Sequence, residues 1–211
     1  MILYFILTTI LAVIHIWADH KSYWKLCYIF KPLTTLSIIA LALSLYNSAQ
    51  PLTLLVLVAL GFSLLGDIFL MLKSDRFLAG LQSFFAAHLC YIAWFTTNTS
   101  LTLEFYFIIP LLIIGSVYMS QVWPKAGSLK WAVLAYGSLL QLMVIAASSF
   151  YFAFESTTAG RMALIGAVLF MFSDSVLGFS RFVKNWRYSH GVVLVSYYLA
   201  QTLLVLSLLP Y

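Results

Sequence analysis

The chain has 211 residues, of which 64% are hydrophobic and only 8% are charged. A soluble domain carries about 25% charged residues, so eleven basic and six acidic side chains are too few to cover a water-facing surface. Disordered chains are poor in apolar residues, which leaves an integral membrane protein with little mass outside the bilayer as the class that fits.

Eight stretches are long and apolar enough to cross a bilayer as helices. A crossing helix needs about 20 mostly apolar residues, and the predicted spans are 1–17, 30–46, 51–72, 77–97, 103–122, 128–152, 160–180 and 190–209. Their short connections include 47–50, 73–76, 98–102 and 123–127, and Pro32 and Pro51 are predicted to lie in first helical turns. Because these runs are about twice as long as membrane strands, we predict an all-α, polytopic transmembrane bundle that forms one integral membrane domain over 1–211.

The basic residues indicate an orientation for this bundle. All Lys and Arg except Arg161 fall in the odd-numbered predicted connections or at the helix ends beside them, namely Lys21, Lys25, Lys31, Lys73, Arg76, Lys125, Lys130, Arg181, Lys184 and Arg187. Since cytoplasmic loops carry the excess of Lys and Arg, both termini are predicted to lie on the non-cytoplasmic side. The net charge of +5 then comes from basic residues at the cytoplasmic surface, where they face anionic lipid. We expect a multi-pass protein of a bacterial inner (cell) membrane, with membrane lipids and no nucleic acid as partners.

Two acidic residues lie where lipid should surround them. Asp67 stands six residues before Lys73 in the third predicted helix, and Asp174 stands seven residues before Arg181 in the seventh. At 1.5 Å per residue each carboxyl lies about 9–11 Å inside the same face of the bundle. An ionisable group at this depth costs about 2.5–3.5 kcal/mol and by default marks a functional site. The two acids are therefore predicted to share a site, unless each serves as a structural hydrogen-bond hub between helices.

Other polar residues lie at compatible depths in the predicted helices. His88 and Tyr91 belong to one face of the fourth helix, and Tyr197 and Gln201 lie one turn apart in the eighth. Each also has a structural explanation, because lone intramembrane histidines bond to neighbouring backbone groups and Tyr or Gln side chains join helices. Lys31, at the predicted start of the second helix, could equally extend to the interface or contact a phosphate.

Several kinds of site lack the residues that they need. Of the four histidines, His15, His20, His88 and His190, only His88 is expected to be clearly buried, so the three imidazoles of a zinc hydrolase are not available. No G-x-S-x-G nucleophile motif is present. We therefore expect no metal and no cofactor, and any catalysis would rest on carboxyl groups.

The polar residues form a pattern that resembles the YhhN family of membrane proteins, whose characterised members are lysoplasmalogenases. The similar segments extend from the second to the eighth predicted helix: Lys31-Pro32-Leu33-Thr34, Gly66-Asp67 with Leu70, Phe77-x-x-Gly80-x-x-x-Phe84-x-x-x-His88-x-x-Tyr91, Gly166-x-x-x-Phe170-x-x-Ser173-Asp174-x-x-Leu177 and Tyr197-x-x-x-Gln201. Each segment is weak alone, but their order and spacing together are fairly specific.

The resemblance implies hydrolysis of the vinyl ether bond of a lysoplasmalogen, an alkenyl lysophospholipid, to a fatty aldehyde and a glycerophospho-alcohol. That reaction needs one protonated carboxyl and one carboxylate, and two close carboxyls in a low dielectric share a proton. Asp67 and Asp174 are the candidate pair, with the acid left unassigned. His88, Tyr91 and Tyr197 would orient them, Ser173 and Gln201 would hold water, and Lys31 would contact the phosphate.

Two other functions remain open on the sequence. The aspartates could carry protons in a small proton-coupled transporter, or the protein could bind lipid without catalysis. Both acids lie toward one face of the bundle rather than along a path across it, which disfavours transport.

Overall fold

A computed structural model describes residues 2–46, 51–102, 104–155 and 157–210. These residues form eight α-helices: α1 (Ile2–His20), α2 (Trp24–Leu45), α3 (Leu54–Met71), α4 (Phe77–Asn98), α5 (Phe105–Val122), α6 (Lys130–Ala153), α7 (Thr158–Phe182) and α8 (Ser189–Leu206). All eight are long and apolar enough to cross a membrane, and the described residues include no strand. The predicted all-α bundle of eight helices is thus confirmed, and the protein is a multi-pass integral membrane protein. The predicted connection 47–50 lies outside the described residues.

The first two helices are longer than predicted. Helix α1 continues to His20 and α2 begins at Trp24, so Asp19 lies in the last turn of α1, and Lys25 lies within α2 rather than in a loop. Lysines do not interrupt a helix, because helix formation depends on backbone hydrogen bonds and Lys is a good helix former. The connection between the two helices is therefore only the segment 21–23.

The expected first-turn position of Pro32 is wrong, because Pro32 lies inside α2. A proline inside a helix removes one backbone N–H donor, a loss that membrane helices tolerate. Beside the proline, the Thr34 hydroxyl donates to the Phe30 carbonyl at 2.7 Å and the Thr35 hydroxyl lies 3.4 Å from the Lys31 carbonyl. Pro51, in contrast, opens a 3₁₀ turn (Pro51–Thr53) that leads into α3.

The helices pack into one bundle with α5 at its edge. The most extensive contacts join α7 to α8 and α3 to α4, while α6 packs on α4 and α7, and α2 packs on α1, α3 and α8. In α5 only Leu111 and Val122 are buried among the described residues. The connections 21–23, 72–76, 123–129 and 183–188 lie at one end of the bundle, which we call the basic end because most Lys and Arg lie there.

Helices α3 and α4 approach closely where a glycine faces an aromatic ring. A Cβ atom added to Gly66 would lie 2.6 Å from the Phe84 ring, whereas one added to Gly61, also in α3, would meet nothing within 4 Å. The Phe84 ring is held by edge contacts with Phe170 and Tyr197, so it has little freedom to move.

We therefore expect Gly66→Ala to lower the free energy of unfolding by about 1–3 kcal/mol, the usual cost of overpacking. Gly61→Ala is the matched control and should be neutral or slightly stabilising. Unfolding of both variants in the same detergent micelle measures the difference. Equal stability of the two variants would contradict the close contact between α3 and α4.

Candidate active site

Asp67 lies near the C-terminal end of α3, and hydrogen-bond donors from other helices contact both of its carboxyl oxygens. Its side chain is buried, with 1% of the residue exposed. The Thr35 hydroxyl donates to Oδ2 at 2.7 Å, the Tyr197 hydroxyl donates to the same oxygen at 2.9 Å, and the Lys31 ammonium lies 3.3 Å from Oδ1. Lys31 and Thr35 are four residues apart on α2 and so share a face. Three donors from α2 and α8 therefore hold this carboxyl group in one orientation.

The Lys31 side chain points into the bundle rather than out to the interface. Only 13% of the side chain is exposed, and its ammonium forms an ion pair with Asp67. A charge removed from water is costly unless it is paired. The ion pair therefore makes the position of each of these residues depend on the other.

A chain of hydrogen bonds extends from Asp67 to α4. The Gln201 amide nitrogen donates to the Tyr197 hydroxyl at 3.2 Å, and the Gln201 carbonyl oxygen accepts from the Tyr91 hydroxyl at 2.6 Å. Tyr197 and Gln201 are one turn apart on α8. Tyr91, Gln201 and Tyr197 thus form one buried network that ends on Asp67.

Asp174, in α7, has different surroundings. It is partly buried, and the described part of the chain supplies one hydrogen-bond donor to it, the Tyr136 hydroxyl of α6, through a short contact with Oδ2. Sequence reasoning missed Tyr136. Its position six residues after Lys130 places it at a depth similar to that of Asp174. This shared depth is the sequence feature that could have identified Tyr136 as a site residue.

One cavity of about 430 Å³ near the basic end brings the two acids together. Asp67 and Asp174 both line it, with Lys31, Ser173 and Tyr197. Helices α3 and α7 therefore present both carboxyl groups to the same space. His15, Asp19 and His190, which sequence reasoning did not assign to a site, also line this cavity.

Two of the predicted supporting residues contact the backbone. The Ser173 hydroxyl donates to the Val193 carbonyl at 3.0 Å and ties α7 to α8 beside Asp174. His88 is fully buried, and its Nδ1 makes a short hydrogen bond with the Phe84 carbonyl. Its ring packs edge-on against Tyr136, with 5.4 Å between the ring centroids. His88 therefore lies behind the tyrosine that donates to Asp174.

The expectation that His88 alone would be buried among the histidines is wrong. His15, in α1, is 2% exposed, and its Nδ1 lies 2.7 Å from the Tyr198 hydroxyl. The reason is that α1 packs against α2 and α8, which cover the face that carries His15. Within the described ranges, no group of three or more His, Cys, Asp and Glu residues is arranged to hold a metal ion.

Two kinds of relative resemble this chain. It is 29% identical to the uncharacterized membrane protein YhhN of Escherichia coli O157:H7 over 183 residues, which cover 86% of each chain. It is 32% identical over 163 residues to lysoplasmalogenase TMEM86B of Mus musculus and 30% identical over 152 residues to the Homo sapiens protein of that name. Each of these matches covers 72% of this chain and 62% of the relative.

The matched region includes the helices that build the site. The family model described as the YhhN family matches residues 26–208, which extend from α2 to the connection after α8 and include Lys31, Asp67 and Asp174. No solved structure shows a significant match to the chain. The resemblance seen in the sequence pattern is confirmed by this match, and the chain belongs to the YhhN family.

Proposed function

We propose that this protein hydrolyses the vinyl ether bond of lysoplasmalogens, releasing a fatty aldehyde and glycerophosphoethanolamine or glycerophosphocholine. The observation that carries the proposal is the cavity that both Asp67 and Asp174 line, with Lys31 beside them. The similarity to proteins named lysoplasmalogenase supports the same reaction. Two carboxyl groups in unlike surroundings are what such a hydrolysis requires.

The chemistry starts with proton transfer to carbon. A carboxylic acid donates its proton to the β-carbon of the vinyl ether, the π electrons form the new C–H bond, and an oxocarbenium ion remains at the α-carbon. Water adds to that carbon and loses a proton, which yields a hemiacetal. The hemiacetal hydroxyl then loses its proton as the bond to the glycerol oxygen breaks, and the glycerol oxygen takes up a proton, which leaves the aldehyde and the glycerophospho-alcohol. One water molecule is consumed and no redox change occurs.

We assign the acid role to Asp174 and the carboxylate role to Asp67. Asp67 accepts hydrogen bonds from Thr35 and Tyr197 and pairs with Lys31, and all three contacts favour its ionised form. Its fixed negative charge would stabilise the oxocarbenium ion in a site with little water. Asp174 has one described hydrogen-bond donor, which contacts Oδ2. Its carboxyl group can therefore still carry a proton and contact the substrate. Once deprotonated, it would accept the proton of the attacking water, as paired carboxyl groups do in glycosidases.

Basic residues near the cavity suit the phosphate of the substrate. Lys73 lines the cavity of the two acids, and Arg76 precedes α4 at the basic end. A phosphate at this end places the vinyl ether, one glycerol unit away, deeper in the cavity toward the carboxyl groups. The phosphate then lies beside the basic side chains and the vinyl ether lies beside the carboxyl groups.

The direct test is aldehyde release from a synthetic alkenyl lysophospholipid by the purified protein in detergent micelles. In D₂O we expect one deuterium on the aldehyde carbon next to the carbonyl, because the first step protonates that carbon. The matched substrate is the saturated alkyl ether of the same chain and head group, which lacks the double bond and should not react. Aldehyde incubated in D₂O with the protein corrects for exchange by enolisation.

The outcomes of this assay separate the competing functions. Turnover in micelles, where no gradient exists, excludes a pure proton-coupled transporter, and it also excludes a protein that only binds lipid. Absence of aldehyde from correctly folded protein, or equal cleavage of the saturated ether, would overturn the proposed hydrolysis.

We also propose that the basic end faces the cytoplasm of a bacterial inner membrane, which places both termini outside. The excess of Lys and Arg at that end supports this orientation. A C-terminal alkaline phosphatase fusion should be active, and a fluorescent protein that folds only in the cytoplasm should stay dark at the same position. The opposite pair of results would reverse the orientation.

A further inference from the structure

A second, mostly apolar cavity lies beside the candidate site. It measures about 570 Å³ and is bounded by α4, α5, α6 and α7. Its apolar lining includes Leu81, Leu111, Leu140 and Met171. The cavity is therefore suited to a hydrocarbon group.

Asp174 lines both cavities. Leu70, Phe84 and Leu177 also line both, and Lys31 and Asp67 line only the cavity of the two acids. The hydrogen bond from Tyr136, which faces the apolar cavity, holds the Asp174 carboxyl at this junction. The proposed acid thus stands where a cavity lined by several charged side chains meets one whose described lining has Asp174 as its single charged residue.

A ligand that occupies both cavities must be polar at one end and aliphatic at the other, with its reacting bond between them. An alkenyl lysophospholipid has this order, since its vinyl ether joins the glycerophosphate to the chain. We propose that the apolar cavity binds the aliphatic chain of the substrate and sets which chain lengths are hydrolysed. This inference rests on the proposed function.

Helix α5 forms the outer wall of the apolar cavity. Leu112 and Ile114 line the cavity, yet 49% and 63% of these residues are exposed. Since α5 contacts mainly α6, with fewer contacts to α7, the wall between the cavity and the surrounding lipid is one helix thick. A chain already in the bilayer would need to pass only this helix to reach the cavity.

Three glycines line the apolar cavity, and one of them can accept a side chain. A Cβ atom at Gly115 would overlap the Gln141 amide, and one at Gly178 would overlap the Tyr118 hydroxyl. At Gly137 the nearest atom is the Met119 methyl carbon at 3.5 Å, an ordinary contact. A side chain at Gly137 can therefore begin inside the cavity without its Cβ atom displacing a neighbour.

The test compares Gly137→Leu with Gly61→Leu, a matched control whose Cβ would meet nothing within 4 Å and which does not line either cavity. Aldehyde release is measured over alkenyl lysophospholipids of increasing chain length with one head group. Gly137→Leu should lower kcat/KM for the longest chain at least about tenfold relative to the shortest. Gly61→Leu should keep the wild-type profile. Parallel profiles for the two variants would overturn the chain-binding inference and leave the hydrolysis intact.

A second measurement does not depend on turnover. The wild-type protein, in phosphatidylcholine vesicles, is labelled by an alkyl ether lysophospholipid with a photoreactive diazirine at the end of its chain, and the adducts are mapped by mass spectrometry. Adducts on cavity-lining residues of α5, α6 and α7 support the chain-binding inference. If these adducts form but no aldehyde is released, only the proposed hydrolysis is overturned. Adducts elsewhere on the lipid-facing surface, or equal labelling by a diacyl phosphatidylcholine that carries the same diazirine, would overturn the chain-binding inference.

Discussion

Asp174→Asn is expected to lower the rate of aldehyde release by between about 100-fold and 10,000-fold, the usual contribution of a positioned general acid. Asparagine keeps the shape of the side chain and can still accept a hydrogen bond from Tyr136, whose hydroxyl contacts Oδ2 in the wild type. It cannot donate a proton to carbon. Because the substitution removes a proton donor and keeps the shape of the side chain, the affinity for the saturated alkyl ether should change little. Initial rates at saturating substrate, together with binding of the saturated ether, measure both quantities.

The matched control for this substitution is Asp75→Asn. Asp75 is an exposed acid in the α3–α4 connection, where it pairs with Arg181 at 2.6 Å. Exposed ion pairs contribute little to stability, so this variant should remain folded and active. Wild-type activity in folded Asp174→Asn would refute the acid role. Equal loss in both variants would show that the effect is not specific to the site.

Asp67→Asn should remove activity and destabilise the fold together. The substitution removes the negative charge that the mechanism needs, and it leaves the Lys31 ammonium without its ion-pair partner in a mostly buried position. Breaking one side of a buried ion pair costs roughly 3 kcal/mol. A loss of activity in this variant alone could therefore reflect a loss of folded protein.

Adding Lys31→Met separates the two effects. In the double variant Lys31→Met with Asp67→Asn no unpaired charge is left, so the free energy of unfolding should recover to near the wild-type value while aldehyde release stays absent. The four proteins of this cycle are compared by unfolding in one detergent and by aldehyde release. Full activity in Asp67→Asn would refute the proposed role of the Asp67 carboxylate. Additive stability effects would contradict the coupling between Lys31 and Asp67.

Much of the bundle was predictable from composition alone. A hydrocarbon core about 30 Å thick requires about 20 apolar residues per helix, and eight segments meet this requirement. The ends of helices were less predictable. Lys25 is predicted to lie in a loop, but it lies within α2, since a charged side chain does not prevent backbone hydrogen bonding.

The depth of the site was predictable for a similar reason. The rise of 1.5 Å per residue converts position in the chain into distance along a helix, so Asp67 and Asp174 were expected at one level. Both line one cavity in the folded chain.

The partners of each residue depend on how the helices are rotated and which helices are neighbours. Depth along an axis does not contain this information. Thr35 donates to Asp67 and Tyr136 donates to Asp174 because α2 and α6 turn those faces inward, and His15 is buried because α1 packs against α8. The same rotation places Asp174 between the cavity that Lys31 and Asp67 line and the cavity bounded by α5. The sequence by itself determined how many helices cross the membrane and how deep the acids lie. Only the packing of side chains between helices decided which groups surround each acid, because that packing selects the rotation and the neighbours of every helix.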